Sequence, residues 1–232
     1  MSGVIGIRDI PPRNGLMLYY DYGNPRCYPG TGTDVFDLSV NGNHGEIMLN
    51  GLISTDFGGV FRMPGVDDKI TTPYHATLHP TTGMTVVFFV KSPFTNVNVG
   101  GVGVLGGGGN RGWALGNSLT DAARFYVAET VSTLRNSGVA TFDVSDRWVM
   151  MSGRYDPSNY IDYGVNAVQV SVNTTSAPAN TIDNGNDFQV GERGQNAGEI
   201  DGDIGPTLIY NRPITDSELT RIFNIFKHRF GI

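Results

Sequence analysis

Short runs of β-branched and aromatic residues, each followed by a turn rich in glycine, asparagine or proline, recur along the chain. Val, Ile, Phe, Tyr and Thr favour strands, and the pairs Asn41-Gly42 and Asn50-Gly51 mark turns. Many short strands joined by turns are typical of an all-β sandwich or barrel, and they exclude a parallel sheet with helical crossovers. The predicted strands are Leu16–Tyr20, Glu46–Leu49, Gly59–Met63, Lys69–Thr72, Met84–Lys91, Val102–Gly106, Gly112–Gly116, Arg124–Ala128, Trp148–Tyr155, Val165–Val172, Asp187–Gly191 and Ile204–Tyr210.

The predicted strand Met84–Lys91 is apolar on both of its faces. Successive side chains of a strand point to opposite faces, so Val86 and Phe88 share one face while Val87 and Phe89 share the other. A strand of this kind needs cover on two sides. We therefore predict a central strand that packs against the second sheet on one face and against the C-terminal helix or a neighbour on the other.

One helix is predicted at the C-terminal end of the chain. Thr215 and Glu218 form a capping box, the Ser/Thr-x-x-Glu pattern in which each residue satisfies a free backbone N–H of the first turn. Apolar residues then recur at helical spacing and predict one stripe that packs on the sandwich. These residues are Leu219, Ile222, Phe223, Phe226 and Phe230.

Composition and charge exclude several classes of protein. The chain of 232 residues carries 16 Lys and Arg against 22 Asp and Glu, a net charge of −6, and no basic cluster, so we expect no nucleic-acid binding. Its single cysteine, Cys27, cannot form an internal disulfide or a cysteine-rich zinc site, and we interpret it as a structural thiol. The first residues lack a signal-peptide pattern and no apolar run is long enough to span a membrane, so we expect synthesis in the cytosol without membrane insertion.

Residues 1–14 are predicted to form an extended arm ahead of a domain at residues 15–232. Apolar residues alternate with other residues in this segment, as in a strand, at Ile5, Ile7 and Ile10. The pair Pro11-Pro12 excludes a helix. Such an arm cannot bury its apolar residues alone. We expect it either to dock on a neighbouring subunit, where it would anchor assembly by adding a strand to a sheet edge, or to fray.

The sequence offers no convincing catalytic set. Gly101–Gly106 matches GxGxxG, but glycines rather than a helix follow it, so we predict a hairpin instead of a nucleotide site. His75 and His79 have the spacing of a zinc pair on a helix, but prolines bracket them and no Glu lies between them. The Asp residues cluster in turns and no G-x-S-x-G elbow is present. We therefore expect a protein that is not an enzyme.

The carboxylates in these turns are compatible with a calcium site. Ca²⁺ takes six to eight oxygen ligands, and without an EF-hand pattern these must come from loops that the fold brings together. Asp201 and Asp203 with Asp67 or Asp68 are the candidate ligands. The alternative is that these carboxylates are solvated turn residues.

Aromatic residues beside Asp, Asn and Arg suggest carbohydrate binding. The aromatic candidates for stacking on a sugar are Tyr19, Tyr22, Tyr28, Trp113, Tyr126, Tyr160 and Tyr163, whereas Trp148 is expected in the core. The segment from Tyr155 to Tyr163 is predicted as the best exposed loop, or alternatively as a structural turn. Its candidate binding residues are Tyr155, Asp156, Asn159, Tyr160, Asp162 and Tyr163.

Several segments in a fixed order carry a resemblance that covers residues 15–232. They are Gly15–Asp21 with Gly23–Pro25, Tyr28–Thr33, Phe36–Ser39 with Asn41–Gly45, Gly65–Ile70, Met84–Lys91, Arg147-Trp148 with Arg154–Asp156, and Gly202–Gly205 with Ile209–Arg212 before the capping box. Together they resemble the laminin-G-like branch of the concanavalin A-like lectin/glucanase superfamily. The resemblance implies a jelly-roll sandwich of two antiparallel sheets with one C-terminal helix. Pro206 replaces an acid that this family often has before its last strand, which weakens the calcium site.

The resemblance is to the variant of this domain found in large phage structural proteins. It implies a non-enzymatic virion protein, a capsid decoration or fibre-type component with a lectin-like domain. Its expected partners are capsid or other virion proteins, further copies of itself and a cell-surface glycan, and its expected location is the virion. The alternative is a carbohydrate-binding module, whose binding either depends on calcium or does not. The third hypothesis is a glycan hydrolase or lyase.

Overall fold

The computed structural model describes residues 10–65, 67–92, 101–106, 110–118, 122–138, 140–141, 146–192 and 200–232. In these residues the chain forms seventeen strands, two short 3₁₀ turns at Asp56–Gly58 and Ala76–Leu78, and one helix, α1, at Asp216–Phe230. The strands are β1 (Leu16–Tyr20), β2 (Asp34–Val35), β3 (Gly45–Met48), β4 (Leu52–Ser54), β5 (Val60–Met63), β6 (Lys69–Thr72), β7 (Met84–Lys91), β8 (Gly101–Gly103), β9 (Ala114–Ser118), β10 (Ala122–Ala128), β11 (Leu134–Asn136), β12 (Ala140–Thr141), β13 (Val149–Asp156), β14 (Tyr160–Val165), β15 (Val168–Asn173), β16 (Phe188–Val190) and β17 (Gly202–Tyr210).

The strands form two sheets in which all pairs are antiparallel. Sheet 1 has the order β15-β14-β13-β7-β17-β5-β4, and β1 also pairs with β17. Sheet 2 has the order β11-β10-β9-β8-β16-β6-β3-β2, and β12 pairs with β10. The predicted architecture of two antiparallel sheets with one C-terminal helix is confirmed.

The central strand β7 of sheet 1 is buried on both of its faces, as the pattern of Met84–Lys91 predicts. Val86 and Phe88 of β7 belong to the core between the two sheets. Val87 and Phe89 of the same strand belong to a second core, which α1 forms with the outer face of sheet 1. The helix contributes the apolar stripe of the capping-box segment, with Leu219, Ile222, Phe226 and Phe230 buried.

Aromatic rings fill the core between helix and sheet. The ring of Phe230 stacks on Phe89 with centroids 5.1 Å apart and lies 4.3 Å from the ring of Trp148. Trp148 is 4% exposed, which confirms its predicted place in the core. Gly205 of β17 allows this packing, because a Cβ at this position would lie 2.7 Å from the Phe230 ring.

The start of α1 is fixed by the predicted capping box and by an arginine ahead of it. The Thr215 side chain accepts from the Glu218 backbone N–H, and the Glu218 carboxylate accepts from the Thr215 backbone N–H. Arg212 adds two further bonds to the Glu218 carboxylate, at 3.0 and 2.5 Å. These bonds lower the pKa of Glu218 to about 2.

One predicted strand, Val165–Val172, is wrong, because it runs through a hairpin turn. Strand β14 ends at Val165 and β15 begins at Val168. Asn166 and Ala167 between them have φ values of 51° and 64°, the left-handed conformation that such a two-residue turn requires. The Asn166 side chain stabilises the turn by accepting the Met150 backbone N–H at 2.9 Å.

Residues 10–14, which belong to the predicted arm, pack on the domain. Pro11 and Pro12 are buried. Arg221 of α1 donates to the carbonyl of Ile10, and Arg212 donates to the carbonyl of Asn14. The predicted arm residues Ile5 and Ile7 lie outside the described residues.

Among the described residues no helix has the length and apolar character that crossing a membrane requires.

Glu218→Gln is expected to change how stability depends on pH. The folded-state pKa of Glu218 is about 2 against 4.5 for the ordinary group, so its contribution is complete above pH 4.5 and is lost as the pH falls toward 2. We expect the variant to be less stable by about 1–2 kcal/mol at pH 7, after allowance for solvent screening, and by much less near pH 2. Urea unfolding at several pH values measures this difference. The exposed Glu46→Gln is the control, and a constant difference across this range would contradict the assignment.

Candidate ligand-binding groove

A groove of 490 Å³ lies between β1, the turn that follows β1, and α1. Its lining is partly apolar and partly polar, and we call the polar part the rim. The apolar lining consists of Ile10, Pro11, Leu16, Tyr19, Leu38, Ile225 and Phe226, and the polar lining consists of Arg13, Asp21, Asn24, Arg26 and Arg229. We call it the β1–α1 groove. A volume of this size suits a small ligand.

Two rings form the aromatic wall of the groove. Tyr19 of β1 and Phe226 of α1 lie with their centroids 6.4 Å apart and their planes inclined by 58°. Tyr19 is half-buried, so part of its ring is accessible, and its hydroxyl lies 3.4 Å from a carboxylate oxygen of Asp21. Burial and the Asp21 carboxylate raise the pKa of Tyr19, so its hydroxyl stays protonated and donates to Asp21.

The polar rim is held in place by a tight turn from Asp21 to Tyr28. Within it the Asn24 backbone N–H donates to the Asp21 carbonyl, and the Asn24 side-chain oxygen accepts the Arg26 backbone N–H at 3.0 Å. Cys27 anchors the turn from below: its thiol is buried and accepts the Asp21 backbone N–H. Burial raises the pKa of this thiol to about 12, so it stays protonated at neutral pH.

Arg229 joins the helix to the sheet at one end of the groove. Its Nη1 donates to the Asp21 carboxylate at 2.7 Å, its Nε donates to the carbonyl of Phe57, and its Nη2 donates to the carbonyls of Gly58 and Gly59. The guanidinium also lies 5.8 Å from the centre of the Phe226 ring. Arg229 thus fixes the position of α1 relative to β1 and with it the width of the groove.

Close backbone packing lets Arg229 reach all of these partners. Gly59 has a φ of 109°, and a Cβ built on it would lie 2.2 Å from the Cα of Gly23. A Cβ on Gly23 would in turn lie 1.5 Å from the Gly58 carbonyl oxygen. Only glycine at both positions allows the turn after β1 to approach the turn before β5 so closely.

The segment predicted as an exposed sugar-binding loop is instead a β-hairpin, and three of its six candidates are buried. Tyr155 and Tyr163 are fully buried, and the Tyr155 hydroxyl donates to the Pro178 carbonyl at 2.8 Å. Asp162 is 3% exposed. The prediction is wrong for these three residues, because Tyr155 and Tyr163 point into the core between the sheets, whereas Asp162 lies on the opposite face of β14 and is covered by Arg154.

Asp162 belongs to an ion-pair network that ties the hairpin to the helix. Arg154 donates to both carboxylate oxygens of Asp162, at 2.6 Å for the shortest bond, and to Asp216 in the first turn of α1 at 2.7 Å. Burial outweighs the effect of Arg154 and raises the pKa of Asp162. The remaining candidates, Asp156, Asn159 and Tyr160, are at least partly accessible at the end of the hairpin. Their binding role stays a prediction.

The predicted calcium ligands do not form a fitting site. The buried Asp68 carboxylate accepts the backbone N–H groups of Asn50 and Gly65, at 2.9 and 2.7 Å. Asp203 is engaged by Arg62 at 2.8 Å. Asp67 and Asp201 are exposed. In the part of the chain that the structure describes, no group of three His, Cys, Asp or Glu side chains is arranged to hold a metal ion.

Asp201 and Asp203 do line a second, smaller cleft of 300 Å³. Arg62 and Lys91 line the same cleft, and Lys91 lies 3.4 Å from Asp146. Arg62 is therefore already bound to the Asp203 carboxylate, and both Arg62 and Lys91 bring positive charge to a cleft in which a Ca²⁺ ion would lie.

The histidine pair is also unsuited to zinc. His75 precedes the 3₁₀ turn Ala76–Leu78 and is exposed, whereas His79 follows it and is buried, with Nε2 2.9 Å from the carbonyl oxygen of Asn186.

Tyr19 is the groove residue that sequence reasoning included among its sugar-stacking candidates. The sequence pattern places Phe226 in the helix stripe, and no pattern marks Arg13, Asn24 or Arg26 as site residues. Tyr19 and Phe226 are more than 200 positions apart in the chain, so no local pattern joins them. The packing of α1 against β1 brings them together.

Two antiparallel sheets with a closing helix and a polar-rimmed groove define a lectin-like jelly-roll domain. The sequence model of a family described as the concanavalin A-like lectin/glucanases superfamily, of laminin-G type, matches residues 64–220. The chain belongs to this family, as the motifs along the sequence predict.

Solved structures with the same fold include several binding domains. The binding domain of Paraclostridial Mosquitocidal Protein 1 is 12% identical with a TM-score of 0.70, covering 90% of this chain and 52% of that one. Domain 4 of AbnA, an arabinanase from Geobacillus stearothermophilus, is 15% identical with a TM-score of 0.69, covering 91% and 99%. The ligand-binding domain of botulinum neurotoxin serotype D is 11% identical with a TM-score of 0.67, covering 94% and 51%.

The chain thus spans about half the length of the toxin binding domains and nearly all of the arabinanase domain. No curated protein sequence matches it.

Arg229→Lys is expected to destabilise the fold by about 1–2 kcal/mol. A lysine keeps the charge but cannot donate to three carbonyls and a carboxylate at once. Urea unfolding measures the change as a lower midpoint at constant slope. The matched control is Arg26→Lys on the same rim, which is exposed and should stay within about 0.5 kcal/mol of the wild type. Equal stabilities of the two variants would show that Arg229 does not hold the helix.

Proposed function

We propose that the chain is a carbohydrate-binding module that binds a glycan in the β1–α1 groove. The observation that carries this proposal is the combination of the half-buried Tyr19 ring, which packs on the buried Phe226, with hydrogen-bonding groups on the rim, Asn24 and Arg26. Sugars present apolar C–H faces and hydroxyl groups together. A half-buried ring with a neutral hydroxyl, beside an amide and a guanidinium, matches both.

The structural relatives support carbohydrate binding. The AbnA domain was solved in complex with arabinotriose, and the serotype D domain was solved with N-acetylneuraminic acid. The AbnA domain is the more direct parallel, because this chain covers 99% of it. AbnA is itself an arabinanase, but the matching part is one domain of that enzyme. We propose that this chain binds a glycan without catalysing a reaction.

Tyr19→Ala is expected to weaken glycan binding roughly tenfold or more, because an aromatic ring at the centre of a site contributes well above the 1.4 kcal/mol that a factor of ten represents. A glycan array with purified protein, followed by titration calorimetry on the best glycan, measures this loss. The matched control is Tyr74→Ala, an exposed tyrosine outside the groove. Circular dichroism confirms that both variants are folded.

The same array is run with calcium and with a chelator. Two of the four carboxylates proposed as calcium ligands, Asp68 and Asp203, are engaged by backbone N–H groups and by Arg62, so we expect the same binding in both conditions. Full binding by Tyr19→Ala would contradict the groove. Binding that needs calcium would require a metal site elsewhere in the chain.

We further propose that the chain is a structural component of a phage virion and that it associates with copies of itself. The edge of sheet 1 supports this proposal. Strand β15 is the last strand of that sheet among the described residues, and residues 168–173 carry no charge. Val168, Val170 and Val172 are exposed there, at 65%, 37% and 48%. Edge strands are usually guarded by charges or proline, so this edge can accept a strand.

The N-terminal residues of a second copy are the proposed occupant of that edge. Removal of residues 1–9 is expected to convert an assembled protein into a monomer while the melting temperature stays the same, because the packed residues 10–14 remain. Light scattering after size-exclusion chromatography measures the mass. Val170→Lys on the edge strand is the complementary variant and should have the same effect. An unchanged mass in both variants would refute this mode of assembly.

A further inference from the structure

The charge around the β1–α1 groove has the opposite sign to that of the whole chain. The chain has a net charge of −6. The groove, however, is lined by three arginines, Arg13, Arg26 and Arg229, and by one acid, Asp21. A positive groove on an acidic protein concentrates anionic ligands at that place and repels them elsewhere.

The single acid of the groove is already neutralised. Asp21 accepts from Arg229 at 2.7 Å, and the remaining bonds of Arg229 go to backbone carbonyls. This pair therefore contributes little net charge toward a ligand. The charge that a ligand meets comes from Arg13 and Arg26.

Arg13 and Arg26 are exposed, and neither forms an ion pair with an acid in the part of the chain that the structure describes. Other arginines of the chain do so, as the pairs of Arg62 with Asp203, Arg154 with Asp162 and Arg212 with Glu218 show. A guanidinium presents its N–H groups as a planar fork that matches carboxylate, sulfate and phosphate oxygens.

Both arginines start from ordered backbone. Arg26 follows Pro25 in the turn that Asn24 and Cys27 hold, and its own N–H is bonded to Asn24. Arg13 follows the buried Pro11 and Pro12, and its carbonyl accepts the Leu16 backbone N–H at 3.1 Å. A fixed backbone lowers the entropy that is lost when these side chains close on a ligand.

We infer that the β1–α1 groove binds an anionic saccharide, one that carries a carboxylate or a sulfate group, through Arg13 and Arg26 with the sugar ring against Tyr19. This inference rests on the proposed function. An acidic peptide would satisfy the arginines as well. A saccharide fits better, because the accessible aromatic ring lies beside short-range hydrogen-bonding groups in a groove of 490 Å³, which is the size of a small ligand.

The test uses glycan pairs that differ only in charge, with the full chain and at two ionic strengths. The pairs are oligogalacturonate and its methyl ester, sialylated and desialylated glycans, and sulfated and desulfated glycans. We expect the charged member of at least one pair to bind roughly tenfold more tightly than the neutral one, as the loss of one charge-assisted hydrogen bond implies. We also expect this preference to shrink as the salt concentration rises.

Arginine variants assign the preference to the groove. Arg26→Gln and Arg13→Gln are each expected to reduce the affinity for the charged glycan several-fold to tenfold, with little effect on the neutral one. The matched control is Arg111→Gln, an exposed arginine that does not line the groove. Both groove residues are exposed, so the variants should fold normally.

The outcomes separate this inference from the proposed function. Equal binding of charged and neutral glycans that still depends on Tyr19 would overturn the anionic ligand and leave carbohydrate binding intact. Absence of binding to every glycan would overturn both. Binding of polyglutamate as tightly as of the charged glycans, without dependence on Tyr19, would overturn the saccharide in favour of an acidic peptide.

Discussion

The packing of α1 on the outer face of sheet 1 is the contact on which the rest of the structure depends. Strand β7 is apolar on both faces, and without the helix the face of Val87 and Phe89 would be open to water. Burying such a face is worth roughly 25 cal/mol for each Å² removed from water, so the helix and the sheet stabilise one another. The same packing brings Phe226 to Tyr19, and the groove is therefore a consequence of how the second core closes.

Local sequence patterns predicted the helix and the strands of this fold, because each of these elements depends on residues that are close together in the sequence. The capping box of Thr215 and Glu218, the two-faced strand Met84–Lys91 and the core position of Trp148 follow from spacing and side-chain type, and the structure confirms all three. The order of the motifs also predicted the family. Arg212 bonds Glu218, which is only six positions away, so a local pattern can predict this contact. The bonds of Arg229, in contrast, join parts of the chain about 170 to 210 positions apart.

The sequence predicted only some residues of the candidate site, and the β13–β14 hairpin, which was predicted as an exposed loop, shows why. Tyr155, Asp162 and Tyr163 have the composition of a sugar site, but composition does not state which face of a strand a residue takes. That depends on register, which Asn166 and Ala167 set by forming a turn where a continuous strand was predicted. Asp162 and Tyr163 are neighbours on opposite faces of β14, and both are buried, because the second sheet covers one face while Arg154 and the start of α1 cover the other.

The arginines discussed above fall into two groups, those that are bonded to other parts of the fold and those that are not. Arg154, Arg212 and Arg229 are held by carboxylates and carbonyls at the junctions of the helix, where each bond fixes one element against another. A guanidinium whose donors are satisfied in this way has few left for a ligand. Arg13 and Arg26 lie beside the same junction without such partners among the described residues. Because Asp21 is already paired with Arg229, it cannot neutralise them, and the structural ion pair thereby preserves the positive charge of the groove.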